Sequence, residues 1–342
     1  MQIHFSLNDA NKSNVLLKPR HFGVGLHQVI VMLKTIGFLL FALIAGCSHL
    51  DRHSENEIGA FNNASTQSGI TVAAQLNTLY GRKFANCNNS NSQPAFLCSG
   101  VTLRVTVKDP ANQYKVWDPS PTSIKSGGVS FSYLRADTNF GRLAWGYGNG
   151  FILYPIFEAP ADKIDLDYLC SYPMDGWTWH RSQTSVCVPH RDYPVQSQLC
   201  HNAGVTTAEQ WLAVWNISGG NPNLRQCGFD ITDDRNALAA PAFYQSLRAK
   251  SLLGATGFNG HNETIIKTWT PGRPNTFPIM AFFYIYGGTD TKPLADAQYN
   301  QRDFYNSTNP KIVVPIIRLT PANSPTGVAT FTFVAADQVV TQ

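Results

Sequence analysis

The chain has 342 residues, of which 14% are charged and 12% aromatic, with 26 basic and 22 acidic side chains. So small a positive excess argues against a nucleic-acid-binding surface, and the aromatic content against an unfolded polar chain. Most of that excess lies at the start. Lys12, Lys18, Arg20, Lys34 and Asp9 fall within the first 46 residues, and the rest carries 22 basic and 21 acidic side chains.

Residues 32–50, MLKTIGFLLFALIAGCSHL, combine a short basic start at Lys34, an apolar run of about ten residues from Ile36 to Ala45, and Gly46-Cys47. That is the layout of a bacterial secretory signal, and the run is too short to cross a bilayer as a helix. Leu43-Ile44-Ala45-Gly46-Cys47 resembles a lipobox, which makes Cys47 the expected site of lipidation and the first residue of the exported chain. Ser48 after it favours the outer membrane by resemblance to Gram-negative sorting rules. Residues 1–31 contain Asp9 and make a poor signal start, so Met32 is the expected initiator and 1–31 an over-extended reading. A genuinely extended signal is the alternative. A lipid anchor leaves the remainder of the chain in water.

The expected organisation is therefore signal and extension over 1–46, a lipidated Cys and flexible tether over 47–69, and one globular domain over 70–342. Residues 70–85 place Val72, Leu76, Leu79 and Tyr80 on one face and predict a helix. Segment 101–108 alternates as a half-buried strand, and 128–135 and 142–154 are β-branched and aromatic strands. Thr206 and Glu209 have capping-box spacing at the start of a helix over 206–215, with Trp211 and Trp215 on one face. Further helices are expected over 236–253, 262–269 and 294–306. Strands are expected over 278–287, 312–320 and 329–335, Pro315 marking an edge or bulge. The fold class is α+β, an antiparallel or mixed sheet flanked by helices, loop-rich and stapled by disulfides.

Besides Cys47 there are six cysteines, Cys87, Cys98, Cys170, Cys187, Cys200 and Cys227. In an oxidising compartment an even number reads as disulfides. Cys87 and Cys98 close a short polar loop, and the other four share one loop-rich region where they pair among themselves. His180, Cys187, His190, Cys200 and His201 are a rival metal set, but their spacing matches no zinc pattern and no metal is expected.

No nucleophile elbow, metalloprotease helix, P-loop or dinucleotide fingerprint is present. Three clusters can carry chemistry. In FSYLRAD, Arg135 and Asp137 lie two apart at a strand end, where the Arg fork could grip a phosphate or simply form an ion pair. Gln298, Gln301, Arg302 and Asp303 lie within one helical stretch, as a carboxylate beside amides or as a solvated face. Asn262-Glu263-Thr264 offers an acid at Glu263, or an N-cap with Glu in the first turn.

Several stretches together resemble the halovibrin family of exported bacterial proteins: PAFLCSGV (94–101), WDPSPTSIKSGGVSFSYLRAD (117–137), GFILYPIF (150–157), GVTTAEQWLAVW (204–215), QCGFD (226–230), AFYQSLRA (242–249) and QYNQRDFY (298–305). The resemblance covers about residues 70–335. It implies an exported NAD-directed enzyme, an NAD glycohydrolase or an ADP-ribosyltransferase, with NAD as substrate and, for a transferase, a protein acceptor. Gln301-Arg302-Asp303 is at best a loose variant of the terminal Q-x-E of ADP-ribosylating toxins, with Asp for Glu.

On that reading Arg135, beside Asp137, holds the pyrophosphate, and Tyr133, Trp145 or Tyr147 stacks on nicotinamide. Asp303 or Glu263, with Gln301 nearby, stabilises the oxocarbenium-like transition state. The reading from a different class is a non-catalytic envelope lipoprotein that binds a partner or glycan through aromatic loops such as DGWTWH (175–180).

Overall fold

A computed structural model describes residues 68–83, 98–106, 119–144, 147–155, 167–176, 187, 199–216, 227–231, 238–267, 278–286, 291–309 and 311–341. All of them belong to the compact unit Glu55–Gln342. The lipobox, Cys87, Trp145 and residues 177–180 of the aromatic loop lie outside the described residues.

Helix α1, Gly69–Gly81, starts where Ser68 accepts a hydrogen bond from the Thr71 N–H at 3.3 Å. The expected tether thus gives way to helix at Ser68. Its apolar stripe, Val72, Leu76 and Leu79, is buried as predicted. Strand β1 is Val101–Val105, a short helix α2 is Pro121–Ser126, β2 is Val129–Leu134, β3 is Asn149–Leu153 and β4 is Asp167–Tyr172. Helices α3 (Ala208–Asn216), α4 (Ala239–Ser251) and α5 (Gly254–Asn259) follow, then β5 (Glu263–Lys267), β6 (Ile279–Ile285), α6 (Lys292–Ser307), β7 (Ile316–Thr320) and β8 (Thr330–Phe333).

The strands form one mixed eight-stranded sheet in the order β4-β5-β2-β1-β3-β6-β7-β8. Every pairing is antiparallel except β6 with β7. A parallel pair needs a crossover, and α6 supplies it. The fold is α+β. One face of the sheet presents Phe131, Phe151, Phe282 and Ile316 to Trp211 of α3, Phe243 of α4 and Phe304 of α6. The other presents Leu103, Ile152, Phe283 and Leu319 to Val72, Leu76 and Leu79 of α1. Central strands buried on both sides read as continuous apolar runs, which is why 278–287 was legible as a strand.

Three local expectations are corrected. Residues 262–269 contain a strand rather than a helix: Ile265 and Ile266 are β-branched and pair with both β2 and β4, so sheet packing overrides the N-cap signal at Asn262. The cap of α3 is one residue later than expected. Thr207 Oγ1 accepts from Gln210 N–H at 3.2 Å, and Gln210 Oε1 accepts from the N–H groups of Thr206 and Thr207. Gln210, not Glu209, therefore closes the box. Among the described residues of 142–154, the strand is Asn149–Leu153.

Cys170 bonds Cys187 and Cys200 bonds Cys227, so these four pair among themselves as expected. The spans of 17 and 27 residues make each bridge worth about 3 kcal/mol in chain entropy. Cys187 and Cys200 are thereby removed from any metal set. Cys98 is also disulfide-bonded, while the expected pairing with Cys87 lies outside the described residues. Gly228 is needed beside the first bridge, since a Cβ there would fall 2.2 Å from Cys170 Sγ.

Candidate functional site

Beyond the end of β2, Arg135 and Asp137 meet Tyr244 and Arg248 of α4 in a charged cluster. Tyr133, on the face toward α4, is buried, and its hydroxyl donates to Ser99 O at 3.0 Å. Burial pushes its phenol well above the ordinary value. Asn262, the residue before β5, clamps its backbone, accepting from Tyr133 N–H at 2.7 Å and donating to Tyr133 O at 2.8 Å. Tyr133 is thus a core residue, placed to support the site rather than to stack on a ligand.

Arg135 and Asp137 do meet. Arg135 Nη1 donates to both Asp137 oxygens at 2.6 Å and to Tyr244 Oη, while Nη2 donates to Arg82 O at 2.8 Å. Tyr244 Oη donates in turn to Asp137. Arg248, one turn further along α4, approaches Asp137 Oδ2 at 3.5 Å. Both guanidinium groups lie over the Tyr244 ring, at 5.5 and 5.9 Å from its centroid. The Arg135 fork is therefore closed on an internal carboxylate. The groups that reach solvent are Asp137, with its side chain 36% exposed, and Arg248, 48% exposed. Sequence reasoning missed Tyr244 and Arg248; their i,i+4 spacing in AFYQSLRA was the available signal.

A second acid–base group borders this one. Glu263 is buried, and its Oε2 accepts from Gly176 N–H at 2.8 Å. His261 Nε2 stands 3.9 Å from Asp175 Oδ2. Burial lowers the His261 pKa, opposed by the Asp175 carboxylate and reinforced by Lys250. Lys250 is itself buried, donates to Gly260 O, and has its pKa pulled down to about 7 by desolvation. Because Phe131 pairs with Thr264 on the α4 side, alternation puts Glu263 on the opposite face from Tyr133. Glu263 and Arg135 are thus close in the sheet but do not point into one space.

Gln301 and Asp303 stand apart from both. Helix α6 packs on β3, β6 and β7. Gln301 is buried and donates to Val314 O at 2.9 Å and to Gln338 Oε1 at 3.0 Å, and it accepts from the N–H groups of Val339 and Val340. Gln298 donates to Asp337 O at 3.0 Å. These amides fasten the C-terminal segment to α6. Asp303 is half-buried on the same helix. The acid/amide cluster expected there therefore splits, its amides turned inward to the backbone.

Tyr147 is exposed and lines a cavity of about 360 Å³ with Arg142 and the apolar side chains of Leu134, Phe140, Leu143 and Leu319. Leu134 faces it from the strand whose next residue is Arg135, so cavity and charged corner flank the same chain end.

Among the described residues no three His, Cys, Asp or Glu side chains gather as a metal site, and no helix is long and apolar enough to cross a membrane. Comparison of the chain with protein-family models, with curated proteins and with solved structures finds no match.

Proposed function

We propose that the chain is an exported, lipid-anchored enzyme that cleaves the nicotinamide–ribose bond of NAD at the end of β2. The observation that supports this reading is the open Asp137/Arg248 pair held by Arg135 and Tyr244. A carboxylate fixed by a guanidinium and a phenol is pre-organised to stabilise a developing ribosyl cation, and a half-exposed guanidinium beside it can meet the pyrophosphate. This moves the roles first given to Arg135 and to Asp303 or Glu263 onto Arg248 and Asp137. Arg135 becomes the residue that positions the carboxylate. Water as acceptor gives a glycohydrolase and a protein side chain gives a transferase.

The test is nicotinamide release from NAD by the purified protein. Asp137→Asn should lower kcat roughly 100-fold, and Arg248→Gln should raise KM more than it lowers kcat. Wild-type turnover by Asp137→Asn would sink the assignment.

The second reading, a non-catalytic binding lipoprotein, is favoured by a different observation. Arg135, Glu263 and Gln301 all make internal hydrogen bonds of the kind that hold a fold together. Absence of any nicotinamide release, with NAD still intact after long incubation, would select it.

A further inference from the structure

The cavity on the α1 side of the sheet has walls of Leu134, Phe140, Leu143, Ile285, Leu319 and Ala322. At about 360 Å³ it sits near the lower end of the roughly 300–1,000 Å³ typical of small-molecule sites. Its described lining includes a single charged side chain, Arg142, and no carboxylate. Arg142 is exposed, and among the described residues it has neither a hydrogen-bond nor an ion-pair partner. That contrasts with Arg135 a few residues earlier, both of whose terminal nitrogens donate to internal oxygens.

The wall that carries Arg142 is held in place. Gly141 N–H donates to Phe258 O at 2.7 Å, and a Cβ at Gly141 would lie 2.7 Å from the Phe258 ring, so this close approach requires glycine. Asn139, fully buried, accepts from Tyr80 Oη at 2.7 Å and donates to Gly327 O at 2.8 Å. The cavity is thus pre-formed by its neighbours rather than closed by a ligand.

We infer that this cavity binds an amphipathic carboxylate, its apolar chain inside and its head group on the Arg142 guanidinium. The charge and the walls select that class together. An apolar enclosure gains from each methylene it removes from water, and a guanidinium donates two parallel hydrogen bonds to a carboxylate. The described lining suits a dinucleotide less well: its riboses and pyrophosphate need several polar partners, and among the described residues the polar side chains of these walls are Arg142 and Tyr147. The site is independent of the one proposed for NAD.

The probe is sodium decanoate, titrated calorimetrically into the full chain below its micellar concentration, with decanol as the uncharged control. The expected result is saturable one-to-one binding of decanoate, weakened roughly four-fold for each methylene removed from the chain. Arg142→Gln should weaken decanoate roughly ten-fold or more and leave decanol unchanged. Ala322→Leu, which fills the cavity, should weaken both; if it fails to fold by thermal melt, Leu143→Trp replaces it. No saturable binding of either probe, multiple binding insensitive to the filling variants, or equal loss of decanol and decanoate in Arg142→Gln would each overturn the inference.

Discussion

On one face of the sheet three helices, α3, α4 and α6, seal Phe131, Phe151 and Phe282 from water. On the other, α1 covers Leu103, Phe283 and Leu319, and among the described residues Phe140 and Leu143 cover part of what remains beside a cavity. The difference shows in the fate of polar side chains. On the sealed face Tyr133, Arg135, Tyr284 and Gln301 each meet an internal partner, which offsets the desolvation cost of burying them. On the other face a cavity remains, and Arg142 stands at it with no hydrogen-bond or ion-pair partner among the described residues.

The comparison can be broken most directly by truncation. Phe282→Ala, in the sealed core against Phe304, should cost about 3–5 kcal/mol, whereas Leu143→Ala at the cavity wall should cost about 1 kcal/mol or less. Urea unfolding of both variants checks this. Equal losses would mean the two faces are packed alike.

The sealed face also holds a buried cation, Lys250, and pH sharpens the contrast there. Its folded pKa, near 7, lies below the 10.5 of an exposed lysine. Between those values the unfolded chain binds a proton that the folded chain does not. Stability should therefore rise as pH goes from 7 to 10.5 and fall on the way back, by on the order of 3 kcal/mol. Lys250→Met should flatten that slope and raise stability at pH 7. A wild-type denaturation midpoint independent of pH over this range would contradict the burial.

The smallest effect concerns the start of α3. Thr207→Ala should cost about 1 kcal/mol and Thr206→Ala clearly less, because only the Thr207 hydroxyl receives an N–H of the first turn. The reverse order in thermal melts would restore the cap to the position first read from the sequence.

Much of the architecture was legible in local pattern. Val72, Leu76 and Leu79 at helical spacing, the alternation of Val101, Leu103 and Val105, and the apolar run at Ile279–Ile285 each declared an element, because burial imposes a period on the chain. Cysteine parity announced the bridges of the 170–227 region for the same reason of local chemistry. Asn262-Glu263-Thr264 misled, since a cap signal and a β-branched pair compete there and only β2 and β4, brought from over 90 residues away, decide for strand. The ion pair of Arg135 with Asp137 follows from a spacing of two. Its closure by Tyr244, over a hundred residues on, does not. Nor does the separation of Glu263 from Arg135 by the thickness of the sheet, nor the inward turn of Gln301. Sequence by itself determined which segments would be buried and which residues could carry charge. Tertiary structure decided which of those charges would find partners, because that depends on contacts between segments that no local period encodes.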